Sequence, residues 1–421
     1  MRHAERNSMA KKRKEHSLTG RIDARMMRAA FKAVKRNRGA AGIDKVSVNM
    51  FEANLEENLA ALMRDLKKGN FQPKPLRRVY IPKGKSKLRP LGIPAVRDRV
   101  AQEVLRRLLS PIFERLFHDA SYGFRPRRGC HNAIWEVLEH HRQGYEVVLD
   151  ADIKGFFDNI PHRVIMSTVA EEVADGNILR LTEKFLKAGV MENGVFKPTR
   201  IGTPQGGVIS PLLANAVLNK LDWRLAEAGY RFVRYADDFV VICQFHTQAE
   251  EALALVAQIL EDQLGLQLSS EKTVITTYRK GYSFLGFWIS ASSVKMRPKS
   301  VEKFKDKVRE LTRRKHNLDI KAIVKLNRVI RGTANYFARI ATCRKQLRYL
   351  DAWIRMRLRC MKFKRKSMGD NRRFRNRVLR KLGLLSLVEF LDQFACQRAL
   401  SDSSFGALSV GVARCGKTTR R

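Results

Sequence analysis

Arg231-Phe232-Val233-Arg234-Tyr235-Ala236-Asp237-Asp238-Phe239-Val240-Val241-Ile242-Cys243 is the stretch whose reading decides the fold. β-branched and aromatic residues dominate both of its ends, so two short strands flank Ala236-Asp237-Asp238. A tight turn there projects two adjacent carboxylates from the end of a sheet, despite the alternation of side chains along each strand. Asp also favours turns for its own backbone hydrogen bonds, so the pair acquires a meaning only from its surroundings.

A second run, Glu146-Val147-Val148-Leu149-Asp150-Ala151-Asp152-Ile153, is a short apolar strand ending at Asp152. Three carboxylates at strand ends suit nucleotidyl transfer. That reaction uses two divalent cations about 4 Å apart, held by hard oxygen ligands, to activate a hydroxyl and shield a triphosphate.

The whole chain agrees with a polyanionic substrate. Its 421 residues carry 83 Lys and Arg against 41 Asp and Glu, a formal charge of +42, which repels itself strongly unless nucleic acid or another polyanion is bound. Charge alone fits a basic ribosome-associated protein equally well. A hydrophobic content of 44% is enough for sizeable cores in two or three domains. The six cysteines are scattered, with no pair at zinc-ligand spacing, which predicts a reduced chain without structural zinc. No apolar run has the length of a membrane span and the start is basic and polar, so a soluble, unprocessed, cytoplasmic protein is expected, associated with the nucleoid when on DNA.

Periodicity organises the rest. Met26, Ala29, Ala30 and Ala33 have helical spacing in a basic stretch, predicting a helical arm over residues 1–49. Met50 to Leu66 reads as a second helix, Phe71 to Pro94 as proline-rich extended strands around a basic loop, and Ala101 to Phe117 as helix. Val301 to Arg380 holds 27 Lys and Arg and 6 Asp and Glu, half of the chain's excess charge. Tyr336, Phe337, Tyr349, Trp353 and Phe363 lie among those cations, either as a helical core or as surfaces on which bases stack.

Further motifs follow in order. They are Ile81-Pro82-Lys83 with Arg89-Pro90-Leu91-Gly92-Ile93-Pro94, then Tyr122-Gly123-Phe124-Arg125-Pro126, then Asp152 to Asn159. Next come Gly202-Thr203-Pro204-Gln205-Gly206-Gly207 through Ser210-Pro211-Leu212-Leu213-Ala214-Asn215, the Tyr235-Ala236-Asp237-Asp238 turn, Glu271-Lys272-Thr273 and Phe284-Leu285-Gly286-Phe287. In type and spacing this series resembles the reverse transcriptases of the group II intron maturase family. Leu326 to Lys366 is similar to that family's maturase, or thumb, segment.

The resemblance implies an α+β right-hand polymerase: fingers and palm over residues 50–290, a helical thumb or maturase domain over 291–380, and a basic tail over 381–421 that could touch DNA. It implies that Asp152, Asp237 and Asp238 are catalytic and, with Ile153, hold magnesium. Lys83, Arg89, Phe157 and Gln205 would then contact the incoming deoxynucleoside triphosphate, with Phe157 as the ring that crowds a ribose 2′-hydroxyl and Phe156 as the competing candidate. Gly206, Tyr235, Leu285 and Gly286 would meet template and primer, and Arg328, Arg331, Arg355 and Arg357 would bind RNA. The partners implied are the group II intron RNA and a DNA target and primer; monomer and dimer both stay open. A non-catalytic splicing cofactor and a domesticated reverse transcriptase in defence or repair are alternatives that share most of these residues.

Gly411-Val412-Ala413-Arg414-Cys415-Gly416-Lys417-Thr418 fits a phosphate-binding loop pattern, yet only three residues follow it, too few for the helix such a loop requires, and the match is read as chance. The sequence after Arg380 is also short for a Cys/His-bearing endonuclease domain, so endonuclease activity is not expected.

Overall fold

The computed structural model describes residues 14–82, 88–203 and 206–403, and the chain divides into two compact units, Met1–Tyr278 and Arg279–Arg421. The phosphate-loop pattern near the C-terminus lies outside the described residues.

Strands of the first unit are β1 (Leu76–Pro82), β2 (Leu88–Ile93), β3 (Val147–Asp152), β4 (Val190–Glu192), β5 (Val195–Lys197), β6 (Arg231–Tyr235), β7 (Asp238–Cys243) and β8 (Val274–Thr277). They form two sheets. One has the order β2-β1-β4-β5, with β1 and β2 antiparallel and β1 and β4 parallel. The other, β6-β7-β3-β8, is antiparallel throughout and carries the Asp-bearing runs in its middle. Val148, Leu149, Val240 and Val241 are fully buried there, which explains why β3 and β7 read as nearly continuous apolar runs.

Helices cover this sheet. Val96–Glu114 and Ser210–Glu227 run through one core with Val100, Leu105, Leu109, Val217 and Leu221. The N-terminal helix, Ala24–Arg36, starts at Asp23, whose carboxylate accepts from the Met26 amide at 2.6 Å. Met27, Ala30, Phe31 and Val34 of this basic helix are buried in the same core. The single helix read over Met50 to Leu66 is two, Val48–Ala53 and Leu55–Lys68, broken at Asn54.

The second unit opens with a three-stranded antiparallel sheet of β9 (Tyr282–Phe284), β10 (Phe287–Ser290) and β11 (Ser293–Met296). Leu285 and Gly286 therefore fall in this unit. Helices Pro298–Leu311, Ile320–Phe337, Arg344–Phe363 and Leu387–Ser403 follow, around a core including Phe304, Val308, Ile330, Leu350 and Leu358. Buried Asp351 caps the last of these from a neighbouring helix, accepting from the Leu387 amide at 2.9 Å and the Ser386 hydroxyl at 2.6 Å. No helix among the described residues is long and apolar enough to cross a membrane.

Candidate active site

β6 and β7 pair with Tyr235 opposite Asp238, so Ala236 and Asp237 are the two central residues of the hairpin turn. Ala236 takes the left-handed conformation, φ 59°, while Asp237 does not. That conformation is unfavourable for an L-residue and needs outside support. The support is a buried guanidinium: Arg234 donates through Nη1 to the Ala236 carbonyl at 3.0 Å and to Asn215 Oδ1 at 2.9 Å, and through Nε to Asp222 Oδ1 at 2.7 Å. Arg234 and Asp222 are both wholly buried, and their two-pronged pairing satisfies a charge pair that would otherwise be expensive to desolvate.

This network ties distant motifs together. Asn215, from the helix that begins at Ser210-Pro211, donates Nδ2 to the Gly123 carbonyl at 2.7 Å. A Cβ on Gly123 would lie 2.4 Å from the Ala236 amide nitrogen, so only glycine fits against the turn. The Tyr122 amide donates to the Arg234 carbonyl at 2.8 Å. Tyr235 is half-buried, its ring tilted against Phe124 at 6.5 Å between centroids.

Asp152 is directly opposite Asp238 in the β3–β7 register, which puts both side chains on one face at the sheet's end. Asp237 sits beside them on the turn, half-buried, and Asp238 is exposed. Lys272, from the Glu271-Lys272-Thr273 motif, reaches Asp152 Oδ2 at 2.6 Å, and this contact, aided by the charge of Asp238, raises the ammonium pKa above its ordinary value. Ile153 is buried and bridges to Leu268. The donors are all hard oxygens, the kind magnesium prefers. They fit a divalent cation in donor chemistry, although no three His, Cys, Asp or Glu side chains among the described residues converge closely enough to hold a metal ion as they stand.

Around the carboxylates, Phe156 is buried at 2% exposure while Phe157 is only half-buried, the two rings meeting edge to face at 5.3 Å. The Thr203 amide donates to the Phe157 carbonyl at 2.7 Å. Gly202, at φ 83°, packs so closely on Asp158 that a Cβ would meet its carbonyl oxygen at 2.6 Å. Gly206 similarly approaches the Gly92 carbonyl, at 2.4 Å from where a Cβ would stand. Arg89 is exposed on β2, opposite Ile81. Lys83 and Gln205 lie outside the described residues.

In the second unit Leu285 and Gly286 form the β9–β10 turn, both with positive φ, 46° and 86°, as a mirror-image hairpin turn requires. The Tyr336 hydroxyl donates to the Leu285 carbonyl at 2.9 Å and the Ser300 hydroxyl to that of Gly286 at 2.9 Å. Tyr336 and Phe337 also pack on Phe287, which makes them core rather than base platforms. Arg328 and Arg331 are exposed on one helix. Arg355 is half-buried on another, and Arg357 is engaged by Thr312, donating to its carbonyl at 2.8 Å and its hydroxyl at 3.1 Å.

Sequence reasoning did not assign roles to Arg234, Asp222, Asn215 or Lys272. An Arg set between Val233 and Tyr235 within a β-rich run and a lone Asp within Asn219-Lys220-Leu221-Asp222-Trp223 were the available signals.

Residues 81–289 match the model of the reverse transcriptase (RNA-dependent DNA polymerase) family, and residues 301–383 match the group II intron maturase-specific domain. Protein YkfC of Escherichia coli K12 is 37% identical over 283 residues, covering 58% of this chain and 74% of that one. The group II intron-encoded protein LtrA of Lactococcus lactis is 40% identical over 49% of this chain and 34% of its own length. A putative COX1/OXI3 intron 2 protein of Saccharomyces cerevisiae is 28% identical over 73% of this chain and 43% of its own. This chain thus spans about a third of the Lactococcus protein and three quarters of the Escherichia one. With polymerase and maturase matches in succession and the carboxylate-bearing hairpin in place, the chain belongs to the group II intron-encoded reverse transcriptase and maturase family.

Proposed function

We propose that the chain copies its intron RNA into DNA, with magnesium held by Asp152, Asp237 and Asp238, and that it assists splicing of the same RNA. The observation that carries this reading is the placement of Asp152 opposite Asp238, with Asp237 on the adjoining turn. When bound, the metal lowers the pKa of the primer hydroxyl and shields the triphosphate.

The chain's own residues do the remaining work. Arg89, with Lys83, neutralises phosphate charge as a deoxynucleoside triphosphate docks. Phe157, the less buried of the two phenylalanines, crowds the ribose 2′ position, the group that separates RNA from DNA precursors. Gln205 contacts the incoming nucleotide, and Gly206, Tyr235, Leu285 and Gly286 meet template and primer. Arg234 keeps the Asp237 turn in its strained shape, so the carboxylates do not reorganise on each cycle. Lys272 keeps Asp152 paired with a cation until one of higher charge arrives.

Exposed Arg328 and Arg331, with Arg355, grip the RNA backbone of the intron. Splicing of the cognate intron at low magnesium should need the protein yet survive Asp237→Ala, because folding the RNA does not use the polymerase site. Failure of both forms to promote splicing would remove the maturase half of the proposal and leave the polymerase half standing.

A further inference from the structure

The second unit has an open cavity of about 810 Å³ between the helix Arg344–Phe363 and the segment that follows it. Tyr349, Trp353 and Met356 line it from the helix, and Arg365, Lys366 and Arg375 from the segment. Buried Arg359 fixes the two walls together, donating Nε to the Phe374 carbonyl at 3.0 Å and Nη2 to Asn376 Oδ1 at 2.8 Å. The cavity is therefore built into the fold.

One lining group is out of keeping with the rest. Asp370 is 1% exposed and is the one acidic residue of the described lining, which is otherwise cationic, aromatic, apolar or, at Ser367, Asn371 and Asn376, neutral and polar. Its Oδ1 accepts from Arg365 at 3.2 Å, whereas its Oδ2 is buried with no hydrogen-bond partner. A buried acceptor left unsatisfied is costly, and a ligand donating a hydrogen bond would recover that cost. At the same time Tyr349 keeps 57% of its surface exposed beside the cavity, with Lys305 5.3 Å from its ring centroid.

We propose that this cavity binds a guanine base extruded from single-stranded or looped RNA. The inference rests on the reading of the second unit as the RNA-binding part of the chain. Recognition of unpaired RNA uses aromatic or guanidinium planes to stack a base and polar groups to read its edge. Tyr349 and Trp353 supply the planes, and Arg365, Lys366 and Arg375 the charge that meets the flanking phosphates. Asp370 reads the edge, its side chain turning from its buried position into the cavity as the base enters. Guanine alone presents two adjacent donors, N1–H and the N2 amino group, to a carboxylate. Adenine, cytosine and uracil each set an acceptor beside their donor, and that acceptor would face a carboxylate oxygen. The cavity volume lies in the range of small-molecule sites and is ample for one nucleotide.

The test uses the full chain and RNA hairpins that differ only in one unpaired loop nucleotide: guanosine, inosine, which lacks the N2 amino group, or adenosine. Binding is followed by fluorescence anisotropy at raised salt, where counterion-driven binding is weakened. Guanosine should bind about tenfold tighter than adenosine, with inosine between them. Asp370→Asn should erase that order, and the surface variant Tyr349→Ala should weaken all three probes while leaving the unfolding midpoint unchanged. Equal affinity of the wild-type chain for the three probes, or an order that survives Asp370→Asn, overturns the proposal and leaves RNA binding intact. Failure to bind any of the hairpins overturns both this inference and the reading beneath it.

Discussion

Arg234 and Asp222 form a two-pronged ion pair with no exposed surface on either side chain, and the same guanidinium holds the carbonyl of Ala236 at the turn that carries Asp237. The shape of the turn thus depends on a charge pair inside the core. Arg234→Met leaves Asp222 buried without its partner and should destabilise the chain by about 3–5 kcal/mol. Asp222→Leu should be damaging for the mirror reason, and the double variant should recover part of the loss. Denaturant unfolding of the four proteins measures that coupling.

Asp98 gives a pH signature. Burial pushes its carboxyl up to about 6 from an ordinary 3.8, and it accepts from the Lys74 amide at 2.8 Å. The folded chain therefore holds this proton more tightly than the unfolded chain. The stability linked to it is full below pH 3.8 and is lost as pH rises through about 6. Asp98→Asn cannot ionise and keeps an oxygen for Lys74. It should be near neutral at pH 4 and stabilising by about 1–3 kcal/mol at pH 7. Thermal unfolding across that range should show Tm rising by roughly 2–4 °C per kcal/mol gained.

Phe156 and Phe157 should separate stability from selectivity. Phe156→Ala removes a fully packed ring and should destabilise by about 3–5 kcal/mol. Phe157→Ala should fold normally and raise ribonucleotide incorporation by about ten- to a hundredfold relative to deoxynucleotides. Single-nucleotide extension with each triphosphate is the check, and an unchanged ratio would remove Phe157 from its assigned role.

Lys272 pairs with Asp152 at 2.6 Å, and on the proposed assignment it competes with the metal ion for that carboxylate. Lys272 is largely exposed and Asp152 half-buried, so solvent screens the pair and its removal has a modest effect. Lys272→Gln should tighten manganese binding, read by electron paramagnetic resonance without nucleotide, by about two- to fivefold.

Much of this was legible in the sequence because the chemistry is local there. The Tyr235-Ala236-Asp237-Asp238 turn sits between runs whose β-branched residues can only be strands, and β6 and β7 occupy those runs. What escaped depends on contacts between distant segments. Nothing in local periodicity places Asp152 opposite Asp238, because the β3–β7 register is set by tertiary packing. Arg234 looks like one more cation in a basic chain until Asp222, twelve residues earlier, is seen beneath it. The helix Ala24–Arg36 is legible from the spacing of Met26, Ala29, Ala30 and Ala33, but its buried stripe, Met27, Ala30, Phe31 and Val34, is set by the core it packs on.

The central claim is that Asp237, with Asp152 and Asp238, carries DNA synthesis on RNA, and one comparison tests it most directly. Wild-type and Asp237→Ala proteins are given magnesium, an RNA template and a DNA primer, with equal unfolding midpoints established first. Extension should fall by about a thousandfold or more in the variant. Equal extension by the two proteins would contradict the assignment of the site.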